Sequence, residues 1–416
     1  MSVSEKEQNH RLLLSVTSIF LVCYVALSYP QLGTSFKEAF GLGAFLLTLV
    51  LWALDREIFR AYAHRMITDP MVWGVAFICV WGLAAALITG AQLDDTARHL
   101  DIYRKVMLKG VMVFLVVTYV CFRRKSSSMI FITLAVVGAA ACLDVIAGYG
   151  LNYVTAANRG AVHTILNKRI HVNLMSLKLN FVAPFFVALV WKLKGKKGQF
   201  WLVYAASILV LVASFLTISR AGWLGAVGGL FFLFFFARAR KQLLIAIAIF
   251  IVIFGLTYLG SKDVREHVAT LKQRLPHISE RLPNWELCVK AAGQQPVWGW
   301  GVFEQETFHR MVRIVDGPNS KILKYQYPHN VFLELTLMWG LPFMIVLAAL
   351  FFYIYWKAWA GPPSDFRSRL QMAAIAGGTI GALWINGFFS EVVWPDVFIA
   401  LALASSVLAG RPEPEA

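Results

Sequence analysis

The most constraining feature of this sequence is a series of apolar segments, each about as long as the roughly 20 residues that an α-helix needs to cross a membrane. Clusters of charged residues separate the segments. Because so many spans with short connections leave little room for other structure, the sequence predicts an all-α polytopic membrane protein with about 12 transmembrane helices. The segments lie at residues 12–29, 38–54, 71–89, 107–122, 129–148, 173–191, 200–218, 221–236, 243–260, 330–356, 371–388 and 393–410.

The composition agrees with this class and excludes a soluble globular domain. Hydrophobic residues make up 58% of the chain and charged residues 15%, whereas soluble domains carry roughly 25% charged residues. Four of the five cysteines lie inside apolar segments, and Cys288 has no evident disulfide partner. We therefore expect the cysteines to behave as small apolar residues rather than as a disulfide framework.

Basic residues in alternate connections predict the orientation, because short cytoplasmic loops are enriched in Lys and Arg. This places both termini in the cytoplasm and the longest connection, about 261–328, on the outer side. The chain then divides into helices 1–9 in residues 1–260, a large outer loop in 261–328, and helices 10–12 with a short cytoplasmic tail in 329–416. The predicted cytoplasmic groups are Arg56/Arg60/Arg65, Arg123/Arg124/Lys125, Lys192/Lys194/Lys196/Lys197, Arg238/Arg240/Lys241 and Lys357/Arg367/Arg369.

The outer side carries more basic residues than this rule requires, and the net charge of the chain is +16. Such a surplus predicts an anionic ligand such as a phosphate or pyrophosphate, with contact to the headgroups of membrane lipids as the alternative. The predicted outer residues are Arg98, Arg104, Lys105, Lys109, Arg159, Lys168, Arg169, Lys178, Arg220 and ten more between Lys262 and Lys324, Arg265 among them. We select Arg159, Lys168, Arg169 and Arg265 as candidate substrate-binding residues.

Arg220 is the first candidate catalytic residue. It stands in Ser-Arg-Ala-Gly-Trp-Leu between two apolar segments with almost no loop between them, so its guanidinium must lie at or just below the outer membrane surface. A charge at that depth is costly and points to function. We expect Gly222 to let the backbone approach a ligand closely. The alternative is an arginine that extends to the headgroups from a helix end.

His329 is the second candidate, in Pro-His-Asn at the end of the long loop. Pro328 fits a helix start, and a histidine in the first turn is kept neutral by the helix dipole. A neutral imidazole accepts a proton, as a general base on a sugar hydroxyl must. The alternative is a structural histidine at the membrane interface. Asn330 beside it is a further candidate for substrate binding.

Arg281 is the third candidate. It precedes Trp285 and the segment Pro296-Val-Trp-Gly-Trp-Gly301. Spacing around Trp285 and Cys288 predicts an amphipathic helix at the outer membrane face, with Arg281 near its start. The aromatic residues of 261–328 need apolar cover, so we expect this loop to be partly helical and to form a lid. The alternative for Arg281 is an exposed surface arginine.

Other chemistries find little support. The sequence has no glycine-rich phosphate loop with Lys-Ser/Thr, no HExxH and no paired Cys/His at metal spacing. Asp94 and Asp95 are adjacent acids, which more often form a solvated turn than a metal site. We therefore predict no metal, no cofactor and no nucleic-acid partner.

Together, the Arg220 element, the Arg281 element with its Trp-Gly-Trp-Gly segment, and His329-Asn330 ahead of Gly340 resemble the O-antigen ligase and polymerase superfamily. The resemblance covers about 200–345 and the overall topology. Phe343 departs from the pattern, because similar ligases often carry Gly, Thr or Tyr at that place, and this leaves the subfamily open.

The resemblance implies a metal-independent glycosyltransferase of the type C class in the Gram-negative inner membrane. Such an enzyme moves a glycan from undecaprenyl pyrophosphate to an acceptor at the periplasmic face; in an O-antigen ligase the acceptor is a sugar hydroxyl of lipid A-core, and the product is lipopolysaccharide. By motif, Arg220 and Arg281 would neutralise the pyrophosphate and His329 would be the base.

Three alternatives stay open beside the ligase. A polysaccharide polymerase shares the motifs, and only the position of the long loop and the short C-terminal segment favour a ligase. A protein O-oligosaccharyltransferase usually carries an additional periplasmic region at its C-terminus. A lipid-linked glycan flippase, from a different class, would need more charges inside the spans of the first half.

Overall fold

The computed structural model describes residues 3–28, 34–150, 161–162, 170–192, 199–217, 219–260, 262, 265, 269, 276–302, 304–325, 327–361, 366–387 and 394–408. These residues are almost entirely helical. The helices are α1 (Val3–Ser28), α2 (Thr34–Leu54), α3 (Arg56–Thr68), α4 (Pro70–Gln92), α5 (Thr96–Tyr103), α6 (Lys109–Arg124), α7 (Ser128–Gly150), α8 (Val172–Lys192), α9 (Gln199–Leu216), α10 (Arg220–Phe236), α11 (Arg240–Gly260), α12 (Pro276–Gln294), α13 (Gln305–Asp316), α14 (Val331–Trp339), α15 (Leu341–Ala360), α16 (Phe366–Thr379) and α17 (Trp394–Leu408).

Shorter elements complete the described chain. Two π-helical segments, Arg104–Leu108 and Ile380–Asn386, continue α5 and α16, and a 3₁₀ turn spans Lys321–Lys324. A two-residue antiparallel pair, β1 (Ala161–Val162) with β2 (Ile170–His171), precedes α8.

Eight stretches of helix in the described residues are long and apolar enough to cross a membrane. Three shorter apolar helices, Trp201–Leu216, Arg220–Phe236 and Asp396–Leu408, overlap other predicted spans. The chain is therefore an all-α, multi-pass membrane protein, while the count of about 12 spans and the periplasmic side of the long loop remain predictions. The eight stretches are Glu7–Ser28, Lys37–Leu54, Pro70–Gln92, Thr96–Arg124, Ser128–Gly148, Leu174–Lys192, Arg240–Gly260 and Leu341–Ala360.

The predicted span 330–356 is wrong as a single helix, because the chain breaks at Gly340. Gly340 has a φ of +85°, and a Cβ there would lie 1.9 Å from the Val297 carbonyl oxygen. The Pro296–Gly301 segment wraps this break: Leu341 N–H donates to the Pro296 carbonyl (2.7 Å) and Trp300 N–H to the Leu337 carbonyl (2.6 Å). Hydropathy alone could not reveal the break, since the residues on both sides are apolar.

Helices α12, α13 and α14 and the 3₁₀ turn pack on one another around a hydrophobic core of their own. Burial raises the pKa of the Cys288 thiol in this core to about 12, so the thiol stays protonated. The buried core residues are Leu287, Cys288, Ala291, Trp300, Val302, Phe308, Met311, Val312, Ile322 and Leu337.

Helix α10 packs closely against α8 and α16 through glycines. A Cβ on Gly381 would lie 2.5 Å from the Gly225 carbonyl oxygen, and a Cβ on Gly377 would lie 2.5 Å from the Gly229 carbonyl oxygen. Small residues allow helix backbones to approach closely in membrane proteins. Backbone contact with α16 and its π-helical extension therefore holds the middle of α10.

Candidate active site

Arg220 is the first residue of α10 and is half-buried. Helix α9 ends at Leu216, so only residues 217–219 connect the two apolar helices, as the sequence predicts. Ser219 is the N-cap, and its side chain accepts a hydrogen bond from Gly222 N–H at 3.1 Å. A serine N-cap satisfies one of the free N–H groups of the first turn, so the turn that bears Arg220 is well defined.

Gly222 does not have the role that we expected from the sequence. A Cβ at this position would lie 2.5 Å from the Ser176 Cβ and 2.9 Å from the Ser176 Oγ. The Asn180 side chain also donates to the Gly222 carbonyl at 3.1 Å. Gly222 therefore lets α10 pack against α8. The space beside Gly222 is filled by Ser176 and is not open to a ligand.

His329 lies before α14 and not in its first turn, so that part of the prediction is wrong. The N-cap is Asn330 and the helix begins at Val331. His329 is half-buried and has a φ of +53°, in the left-handed region that non-glycine residues seldom adopt. Strained backbone of this kind persists only where the surrounding structure holds it, and it is frequent at functional sites.

Helix α12 holds the backbone immediately before His329. The Asn284 side-chain amide donates to the carbonyls of Tyr327 (3.2 Å) and Pro328 (3.4 Å). The Trp285 indole N–H donates to the same Pro328 carbonyl at 3.0 Å. Asn284 is fully buried, so water cannot easily replace its hydrogen bonds.

Asn330 holds the backbone on the other side of His329. Its Oδ1 accepts hydrogen bonds from Phe332 N–H (3.0 Å) and Leu333 N–H (3.2 Å), and the side chain is buried. These contacts assign Asn330 to helix capping. Its predicted contact with substrate stays a prediction.

Arg281 lies three and four residues before Asn284 and Trp285, so these side chains share one face of α12. The guanidinium is half-buried, and burial lowers its pKa while Tyr325 opposes the shift. Arginine nevertheless stays protonated in proteins. In the part of the chain that the structure describes, no carboxylate forms an ion pair with Arg281. A half-buried cation of this kind is suited to an anionic ligand.

A chain of direct contacts joins the His329 segment to Arg220. Val331, two residues after His329, lies against the end of the π-helical segment, where a Cβ on Gly387 would lie 3.2 Å from the Val331 Cγ1. Asn386 donates to the Ser176 hydroxyl at 3.0 Å, and Ser176 donates to the Ser219 hydroxyl at 3.2 Å. The elements that carry the three predicted catalytic residues are thus in contact through described residues.

Four of the other basic residues pair with carboxylates of the protein itself. Arg98 pairs with Glu304 and with Glu306 (2.8 Å), and Lys109 pairs with Glu38 (2.5 Å). Arg104 and Lys105 both pair with Asp101, at 2.6 Å each. These four charges are neutralised by the protein's own carboxylates, so they are weak evidence for an anionic ligand.

The predicted substrate-binding residues Arg159, Lys168 and Arg169 lie outside the described residues. Arg265 is exposed, and its guanidinium donates to the Leu259 carbonyl at the end of α11. The structure also brings in three residues that our reading of the sequence missed: Asn284, Ser176 and Asn386. Ser176 and Asn386 could have been noticed as polar residues inside apolar segments, where buried polar groups are costly.

Comparison with protein families finds a match in the second half of the chain. Residues 205–348 match the family model described as O-antigen ligase. The matched segment is about a third of the chain and includes Arg220, Arg281 and His329. The comparison with curated proteins finds no match. The resemblance to the O-antigen ligase superfamily is confirmed for this segment.

Proposed function

We propose that the protein is an O-antigen ligase. In this proposal it transfers an undecaprenyl-pyrophosphate-linked glycan to a sugar hydroxyl of lipid A-core at the periplasmic face of the Gram-negative inner membrane. The observation that carries the proposal is that the segment matching the O-antigen ligase family contains Arg220, Arg281 and His329, on elements that contact one another.

The proposed reaction is a displacement at the anomeric carbon of the donor glycan. The acceptor hydroxyl oxygen forms the new bond to this carbon, and the bond from the carbon to the pyrophosphate oxygen breaks. The hydroxyl proton goes to His329, and undecaprenyl pyrophosphate leaves with the bonding electrons. Negative charge therefore grows on the leaving oxygen while the acceptor loses a proton.

Arg220 and Arg281 suit the leaving group. Fixed guanidinium groups stabilise charge that develops on phosphate oxygens, and their planar geometry binds two oxygens at once. Arg281 is partly desolvated without a carboxylate partner in the described residues, which strengthens its interaction with an anion. Arg220 stands at a helix N-terminus, where backbone N–H groups also favour negative charge.

His329 suits the role of base because its backbone is held on both sides. The hydrogen bonds from Asn284 and Trp285 fix the two residues before it, and the Asn330 cap fixes the start of α14 after it. A base contributes to catalysis only when it lies within hydrogen-bond distance of the proton that it removes. A constrained backbone limits the positions that the imidazole can sample.

A polymerase is the second candidate, since the family match supports both activities. Purified protein should be given an undecaprenyl-pyrophosphate-linked O-antigen glycan with either lipid A-core or a second lipid-linked glycan as acceptor. The proposal expects glycan to appear on lipid A-core. Consumption of only the second lipid-linked glycan would overturn the ligase assignment in favour of a polymerase, and transfer to neither would overturn the proposed function.

A further inference from the structure

We infer that Ser176 and Asn386 are positioning residues, which hold the first turn of α10 and thereby set the place of Arg220 relative to the His329 segment. The inference rests on the proposed function, because it assigns Arg220 to the donor pyrophosphate. Neither residue belongs to the three sequence motifs, and both lie inside apolar segments.

A series of hydrogen bonds beneath Arg220 holds the turn that bears it. Asn386 donates to Ser176, and Ser176 donates to Ser219, which in turn accepts from Gly222 N–H. Asn180, one helical turn after Ser176, donates to the Gly222 carbonyl. The first turn of α10 is thus held at two points: at its capping side chain by Ser176, and at its backbone by Asn180.

The polar side chains beneath Arg220 are buried, and two of them, Asn180 and Asn386, leave a carbonyl oxygen without a hydrogen bond in the described residues. Ser176 and Asn386 are fully buried, and Asn180 is 1% exposed. Buried acceptors of this kind reduce stability, and departures from optimal stability are expected where the sequence serves function.

The backbone at Asn386 departs from the regular α-helix. Asn386 ends the π-helical segment Ile380–Asn386. π-helical turns are rare in proteins, and those that occur are often found at functional sites. A Cβ on the next residue, Gly387, would lie 3.2 Å from the Val331 Cγ1 at the start of α14. Asn386 therefore lies between the element that bears Arg220 and the segment that bears His329, and a change there affects the relation of the two.

The test compares Asn386→Leu and Ser176→Ala with a matched control on the same helix. Gln371 is also a buried carboxamide of α16, and it accepts from the Ser127 hydroxyl at 3.0 Å at the far end of the helix. Gln371→Leu should therefore cost a similar amount of stability without reaching Arg220. Ser207→Ala, a buried serine that donates within its own helix to Val203, is the control for Ser176→Ala.

Three quantities are measured for each variant: thermal stability, glycan transfer at increasing donor concentration, and binding of undecaprenyl pyrophosphate in detergent. We expect Asn386→Leu and Ser176→Ala to lower transfer at subsaturating donor by roughly 10-fold, because small displacements of a catalytic group are costly. The controls should keep nearly full transfer. In an Arg220→Lys background, Asn386→Leu should cause little additional loss, since both changes act on one interaction.

The outcomes separate the two proposals. If Arg220→Lys weakens transfer and undecaprenyl pyrophosphate binding while Asn386→Leu and Ser176→Ala match their controls, the inference is wrong and the proposed function stands. If Asn386→Leu lowers transfer by the same factor in the wild-type and Arg220→Lys backgrounds, the inference is also wrong. If Arg220→Ala leaves both quantities unchanged, Arg220 does not act on the donor pyrophosphate, and that part of the proposed function fails. Ser176→Ala decides the question alone should Asn386→Leu not fold.

Discussion

Replacing Asn284 with alanine removes the main support of the backbone before His329 without touching any predicted catalytic residue. Asn284 is fully buried and donates to two consecutive carbonyls, those of Tyr327 and Pro328. Pro328 keeps its hydrogen bond from Trp285, but Tyr327 loses the one that Asn284 provides. The left-handed backbone of His329 then lacks part of the structure that holds it.

The size of the effect follows from the two hydrogen bonds. Each contributes about 0.5–1.5 kcal/mol net, so together they stabilise the held conformation by ~1 to 3 kcal/mol. A change of that size alters an equilibrium roughly 5- to 150-fold. We therefore expect Asn284→Ala to lower the rate of glycan transfer at least ~5-fold, with binding of undecaprenyl pyrophosphate largely unchanged.

The matched control is His309→Ala, which removes the ring hydrogen bond to the Tyr325 carbonyl (2.8 Å) in the same connection but farther from His329. Transfer by purified protein is measured for both variants, together with thermal stability. If Asn284→Ala transfers glycan at the wild-type rate, or no worse than His309→Ala, the conformation of His329 does not depend on α12 and the reasoning is refuted.

Three further predictions concern the arginines, the helix break and the topology. Arg220→Lys and Arg281→Lys keep the charge but lose the planar guanidinium, which can bind two phosphate oxygens at once. Transfer should therefore fall at least ~10-fold while membrane insertion stays normal. Full-rate lysine variants would show that simple charge suffices. Gly340→Ala places a Cβ 1.9 Å from the Val297 carbonyl oxygen at a φ of +85°, so the melting temperature should fall clearly, by several degrees for a loss of ~2 kcal/mol; an unchanged melting temperature would contradict the observed break. A cysteine replacing the exposed Glu286 should react with an impermeant reagent from outside, whereas cysteines at 192–199 should not; the opposite pattern would overturn the predicted orientation.

The sequence predicted the helical class and the Arg220 connection well because hydropathy and chain length suffice for both. It could not predict the break at Gly340, since the residues on both sides are equally apolar and the cause is a distant backbone contact from Val297. The short helices α3, α5 and α13 were missed for the opposite reason: they are polar helices that lack a long apolar signal.

The arrangement of the candidate site residues could be predicted only partly from the sequence. Local motifs pointed to Arg220, Arg281 and His329, but capping and ion pairs depend on partners far along the chain. Arg98 finds its carboxylates at Glu304 and Glu306, more than two hundred residues away. Charge counting along the sequence therefore overestimated the number of basic groups available to an anionic ligand.

The most direct test of the account is the transfer rate of His329→Ala, measured with purified protein, an undecaprenyl-pyrophosphate-linked glycan and lipid A-core. A general base contributes a factor of roughly 10² to 10⁴, so transfer should fall by at least roughly 10²-fold while the variant stays folded and still binds undecaprenyl pyrophosphate through the arginines. If His329→Ala retains most of the wild-type transfer rate, another group takes the proton, and the proposed role of His329 is wrong.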